Sequence, residues 1–425
     1  MIAPWLGIVA AVVALGLWFA IGNFLAKLPA VSDELARKFV HVAMGLTCLS
    51  FPWVFSEAWP VFVLGGIALI GLLIMKRSAA GACLHGVERC SLGEVYFTLG
   101  IAVLFWWSKG DPLTFCVPTL ILTIADAAGA LVGSRYGKTS LTAHKSAEGS
   151  AIFFLAAFMS AHVPLVIFSD IGRVEVLVIS LTLATMVMLV EAISIGGLDN
   201  FLIPIGGYYL LSEYMKMDIG TLVGRFVLVV FLLLLVLTLR KRSSLDGAAL
   251  LGATLFAYGC YALGGWACFI TPMIVFFAHL HATKQIAEKI DEAHTLSAIL
   301  SIGVTGLIWL VFRREDPLAG FTLGLVVHFG ILSYNTLAFL QPELSGRLVL
   351  LRSSVKAVLL CYAPLVLFFP GLIPQAGVAF VLSLAATFVF SRIYPARPKV
   401  SGTPARWVTE CAIATAASGA ALMLA

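Results

Sequence analysis

Charge is scarce in this chain. Only 12% of its 425 residues are Asp, Glu, Lys or Arg, about half the share of a soluble domain. Apolar residues make up 61%. A soluble globule cannot hide that fraction from water, and so apolar a chain does not stay disordered. Cysteine is also sparse: eight are scattered along the sequence and form no disulfide framework. Cys83, His85 and Cys90 lie close together, but a structural zinc takes four ligands. They read as small buried hydrophobes.

What is abundant is uncharged length. Residues 1–26, 247–283, 317–342 and 357–391 contain no Asp, Glu, Lys or Arg. A helical crossing needs about 20 apolar residues. The two longest runs divide at Gly264-Gly265 and Pro370-Gly371. A β-barrel would alternate polar and apolar residues over about ten positions, and no such alternation is visible. The expected class is an all-α, polytopic helical membrane protein with about sixteen spans. The first run has no basic segment before it and no small-residue cleavage site after it, so it reads as a retained span.

Basic residues are distributed unevenly. With the N-terminus outside, alternate loops hold 21 of the 27 lysines and arginines. Lys109, Arg173, Lys216, Arg225, Arg313 and Arg314 fall on the other side. Basic loops stay cytoplasmic. A multi-pass protein of a bacterial inner membrane, with its polar face in the cytoplasm, is therefore expected. Anionic lipid accounts for the net charge of +5 without a nucleic-acid partner. The polar joint Arg240-Lys241-Arg242-Ser243-Ser244 predicts two membrane domains, 1–240 and 241–425.

Four groups of polar residues in the first domain need a reason to persist near a bilayer. Arg37 and His41 stand four apart on one helix face, where they suit a phosphate or an ordinary membrane-surface anchor. Asp126 sits inside an apolar span and is followed at helical spacing by Gly133 and Gly137. Small residues let a ligand or another helix come close. Beyond Lys138 comes Lys145-Ser146-Ala147-Glu148-Gly149-Ser150, just before the next span. The helix N-terminus there is an anion site or a simple cap. Glu191 ends one span, and Asp199-Asn200 caps the next. An anion at a helix C-terminus opposes the dipole, so Glu191 needs a positive partner. All these groups belong at one face. Cations for phosphate and carboxylates for a hard divalent ion are the needs of phosphoryl transfer.

These motifs resemble the phytol kinase and dolichol kinase family, which is related to phosphatidate cytidylyltransferases. The matching residues are Arg37-Lys38-x-x-His41, Asp126-x6-Gly133-x3-Gly137-Lys138, Lys145-Ser146-x-Glu148-Gly149-Ser150 and Glu191-x7-Asp199-Asn200-x3-Pro204. They cover about residues 30–240, in the family's order. The resemblance implies a CTP-dependent, magnesium-requiring kinase of an isoprenoid alcohol such as phytol, geranylgeraniol or a polyprenol. Diacylglycerol kinases occur in the family as well. It further implies that Gly133, Gly137, Lys138, Lys145, Ser146, Glu148, Gly149, Ser150 and Asn200 hold the nucleotide. Asp126, Glu191 and Asp199 would be metal ligands or act on the alcohol, and Arg37 and His41 would stabilise the transferring phosphoryl group. The other readings are a cytidylyltransferase and a transporter. Transporters place polar sites near the midplane, often within inverted repeats, and no repeat is visible here.

The second domain resembles more faintly the membrane domain of phytyl-phosphate kinases, at Ser244-Leu245-Asp246-Gly247, Gly264-Gly265-Trp266 and Tyr334-Asn335-Thr336. Asn335 stands where an acid is expected. An amide does not neutralise a divalent ion as a carboxylate does, so altered catalysis is expected in this half.

Overall fold

The computed structural model describes residues 3–75, 92–243, 245–286, 295–312, 317–395 and 403–424. Cys83, His85, Cys90, Ser244, Arg313 and Arg314 lie outside them. The regular elements among the described residues are helices, and an isolated β-bridge joins Ser140 and Ser146. The chain divides into two compact units, Met1–Val229 and Val230–Ala425.

The first unit opens with α1 (Pro4–Leu25), α2 (Asp33–Cys48), α3 (Trp59–Met75) and α4 (Gly93–Ser108). It continues with α5 (Pro112–Tyr136), α6 (Ala147–Phe168), α7 (Arg173–Ile193) and α8 (Asp199–Tyr214). The helix α9 (Ile219–Leu239) runs across the boundary. In the second unit are α10 (Gly247–Ile286), α11 (Leu296–Phe312), α12 (Pro317–Leu340), α13 (Gly346–Val366), α14 (Ile373–Ile393) and α15 (Pro404–Leu424). The buried middle of α12 packs against α11, α13, α14 and α15.

The protein is a polytopic helical membrane protein, but its helices differ from sixteen uniform spans. Among the described residues nine helices are long and apolar enough to cross a bilayer, and Trp59–Ile74 and Leu296–Phe312 are shorter apolar ones. The difference has a physical cause. Two helices that carry candidate residues, α2 and α8, and α4, which packs against α8, have 16 residues each, short of the ~20 that hydrocarbon requires. The expected breaks are present. At Gly265 the backbone turns to φ 70 inside α10, a left-handed conformation that glycine adopts at no steric cost. Pro370–Leu372 forms a single 3-10 turn before α14.

Local sequence explains how the site-bearing helices begin. Ser32 caps α2, its hydroxyl accepting from the Leu35 amide, and Asp33 and Glu34 occupy the first turn. Carboxylates there complement the helix dipole. Ser146 caps α6 by accepting from the Gly149 amide at 3.1 Å. Gly196 and Gly197, at φ 65 and 85, turn the chain tightly from α7 into α8. That turn returns Asp199 to the neighbourhood of Glu191.

Candidate functional site

The middle of α5 departs from α-helical geometry. Ile121–Ala125 winds as a π-helix directly before Asp126, and π-bulges are frequent at functional sites. Asp126 is buried. Its Oδ2 accepts from Lys38 Nζ at 2.6 Å and stands 3.4 Å from His41 Nε2. His41 Nε2 is also 3.1 Å from the Leu122 carbonyl. A carbonyl only accepts, so Nε2 carries a hydrogen; when the ring is neutral, Nδ1 is its acceptor nitrogen. Lys38, itself buried, is the direct partner of Asp126.

A second set of charges is centred on Lys145. Its ammonium bonds Glu191 Oε1 and lies 3.7 Å from Asp199 Oδ2. Glu191 thereby has the positive partner that its place in the last turn of α7 demands. Burial pulls the Lys145 pKa down, but Glu191 and Asp199 more than offset it and hold the group above its ordinary value. Burial and the nearby Asp126 charge push Asp199 up. Asp126 acts electrostatically on Lys145 as well, so the two sets form one centre.

The remaining candidates take more modest places. Arg37 donates to both oxygens of Glu34, at 3.0 and 2.8 Å. Asp199 is the first residue of α8 rather than its cap, which is Leu198, and its Oδ1 accepts from the Asn200 amide. Asn200 Nδ2 donates to the Gly93 carbonyl at 2.9 Å. Glu148 accepts from the Lys138 and Thr139 amides at 3.1 Å and so shapes the loop. Lys138 is exposed. Gly133 and Gly149 bring α5 and α6 together: a Cβ on Gly149 would stand 2.9 Å from the Gly129 carbonyl oxygen and 3.0 Å from Gly133 Cα. Gly137 is likewise closed against Ser146. The Ser150 hydroxyl is buried without a hydrogen-bond partner.

Among the described residues no three of His, Cys, Asp and Glu stand close enough to cage a metal. The expected trio of Asp126, Glu191 and Asp199 is thus not a ready-made cage; Asp126 is paired with Lys38 instead. Mg2+ seldom asks for one; it takes one or two carboxylates together with substrate phosphates. Glu191 Oε2 is buried with no hydrogen-bond partner. With Asp199 beside the same lysine, this hard-oxygen pair fits magnesium carried on a nucleotide.

An apolar cavity of about 310 Å3 adjoins the charged centre. Helices α1, α2, α3 and α4 form its walls. Arg37, His41, Glu94 and Asn200 line it too. His41 therefore touches both Asp126 and the cavity, and Asn200 both Asp199 and the cavity. Most residues that line the cavity look like ordinary span residues, so residue spacing carried no signal for it.

A phytol kinase from a Synechocystis strain is 29% identical over 212 residues, 45% of this chain and 90% of that protein. A probable chloroplastic phytol kinase 2 from Glycine max is 26% identical over 159 residues, 35% of this chain. The chain is similar to phytol kinases. It spans only 51% of the Glycine max protein. No family model and no solved structure matches.

The second unit contains a buried polar centre of its own. Glu410 and His328 are fully buried, with His328 Nε2 3.6 Å from Glu410 Oε2. Arg406 Nε donates to Glu410 Oε1 at 3.1 Å, and Asn335 Nδ2 at 3.4 Å. Asn335 thus stands beside a carboxylate that comes from α15. Nothing in residue spacing pointed to Glu410, which lies 75 residues away.

Proposed function

We propose that the first unit is a nucleotide-dependent kinase of an isoprenoid alcohol, using CTP and Mg2+ at the cytoplasmic face of a bacterial inner membrane. One observation carries the reading: His41 and Asn200 join a buried lysine–carboxylate centre to an apolar cavity. A soluble phosphate donor belongs on the charged side and a lipid chain on the other. The similarity to phytol kinases supports the same assignment.

The charge of Lys145 and the dipole of α6, whose N-terminus it precedes, attract the donor's phosphates. Glu191 and Asp199 would hold Mg2+, which neutralises phosphate charge when bound. The alcohol oxygen bonds the terminal phosphorus as the bridging P–O bond breaks and the nucleoside diphosphate departs. His41, with Nε2–H committed to Leu122, offers Nδ1 to the hydroxyl proton. Lys38 pairs with Asp126 beside that ring, and Arg37 adds charge at the cavity's polar end. Most of the rate enhancement comes from positioning and charge complementarity.

The test is purified protein in nanodiscs with CTP or ATP and a panel of phytol, geranylgeraniol, polyprenols and diacylglycerol. Phosphorylation of the isoprenoid alcohols with CTP is expected. Turnover of diacylglycerol alone, or of no alcohol, contradicts the reading.

A further inference from the structure

The glycines of α1 fall into two kinds. A Cβ on Gly7 would stand 2.7 Å from Val54 Cγ1 and 2.8 Å from Phe55 Cε1, and a Cβ on Gly22 would run into Val40. Both ends of α1 are therefore pressed against their neighbours. Between them Gly16 lines the cavity, yet a Cβ there meets nothing within 4 Å. The same contrast appears on α3. A Cβ on Gly65 finds Thr98 Cγ2 at 3.6 Å, whereas Gly71, also lining the cavity, faces open space. Helix packing accounts for Gly7 and Gly22 but not for Gly16 or Gly71.

This open stretch faces outward. Val12 on α1 and Ile67 on α3 line the cavity while being 37% and 44% exposed. By contrast Cys48, Phe51, Val61, Leu64 and Ile101 line it and are buried, which makes them its floor. Arg37, Glu94 and Asn200 come from the first turns of α2, α4 and α8. The space thus has an apolar side aperture, an apolar floor and one polar end.

We infer that the gap between α1 and α3 is a lateral portal through which a single-chain prenyl alcohol enters from the bilayer, with Gly16 and Gly71 as its sill. The inference rests on the kinase reading and adds the route and the shape of the acceptor. A molecule with one polar head and one apolar tail matches one polar end and one compartment. Entry from the side spares the tail a passage through water, whose cost grows with every exposed CH2.

Gly16→Trp and Gly71→Trp test it in nanodiscs, with a C20 prenyl alcohol and a water-soluble C5 prenol as alternative acceptors. Gly224→Trp, on α9 where a Cβ also meets nothing, is the control. Each portal variant is expected to lose about tenfold in kcat/KM for the C20 alcohol and less than about twofold for the C5 prenol, a pocket-type discrimination. Equal loss for both acceptors, or no loss for either, overturns the portal. A photoreactive prenyl alcohol gives a readout that does not need turnover. It should label α1 and α3 around residues 12–16 and 67–71 in the wild type and not in Gly16→Trp. Labelling elsewhere overturns the portal. Labelling there by a protein that phosphorylates no alcohol refutes the kinase reading and leaves the portal standing.

Discussion

Lys38 and Asp126 are the residues whose roles depend most on each other. Removing one partner of a buried ion pair strands the other, at a cost of about 3–5 kcal/mol. Asp126→Asn should therefore abolish transfer and also lower the unfolding midpoint. The double variant Lys38→Met with Asp126→Leu should regain stability without regaining transfer. Recovery of activity in the double variant would show that the pair only holds the fold. Lys145 makes a prediction in pH. Its folded pKa lies above the ordinary 10.5, so its stabilising contribution is complete below that value and declines as pH rises through the folded pKa. The gap in unfolding midpoint between wild type and Lys145→Ala should shrink in strong alkali, as the ammonium loses its proton. A gap that stays the same there contradicts the assignment. In the sequence, Arg37 and His41 were legible as one helix face because their spacing is helical. The bond from Lys38 to Asp126 spans 88 positions, and no local pattern encodes it.

The α5–α6 pair sets the position of the charged loop. Gly129, Gly133 and Gly149 let the two backbones meet, so Lys145 is carried to Glu191 by helix contact. Gly149→Val should push the helices apart, costing about 1–3 kcal/mol as overpacking does, and activity should fall with it. Gly206→Val on α8, where a Cβ meets nothing, should change neither in a thermal-denaturation and activity assay. Comparable losses in both variants would mean that the contact is not specific. The stripe of small residues was readable at helical spacing, but spacing alone left ligand and helix as equal occupants of the groove. Backbone proximity decides for the helix. The π-helical turn before Asp126 was hidden, because Ile121–Ala125 has the composition of any apolar span.

Composition sufficed to show a polytopic helical membrane protein, since 61% apolar residues admit little else. The span count was less legible, because hydropathy does not separate a full crossing from a 16-residue helix that stops at a polar site. In the second unit the centre around Glu410 escaped the sequence for another reason: its members come from α12 and α15, and each alone looks like an isolated polar residue. Glu410→Ala should destabilise that unit by about 3–5 kcal/mol by leaving Arg406 and His328 without their carboxylate. Transfer per folded molecule should be unchanged. An intact fold with transfer abolished would instead make the second unit part of the chemistry. The central claim concerns which phosphorus reaches the lipid, and two isotopically labelled forms of CTP test it most directly. Label in the γ-phosphate should appear on the isoprenoid alcohol, with CDP released and α-label remaining on the nucleotide. Incorporation of α-label into lipid, with release of pyrophosphate, would contradict the account.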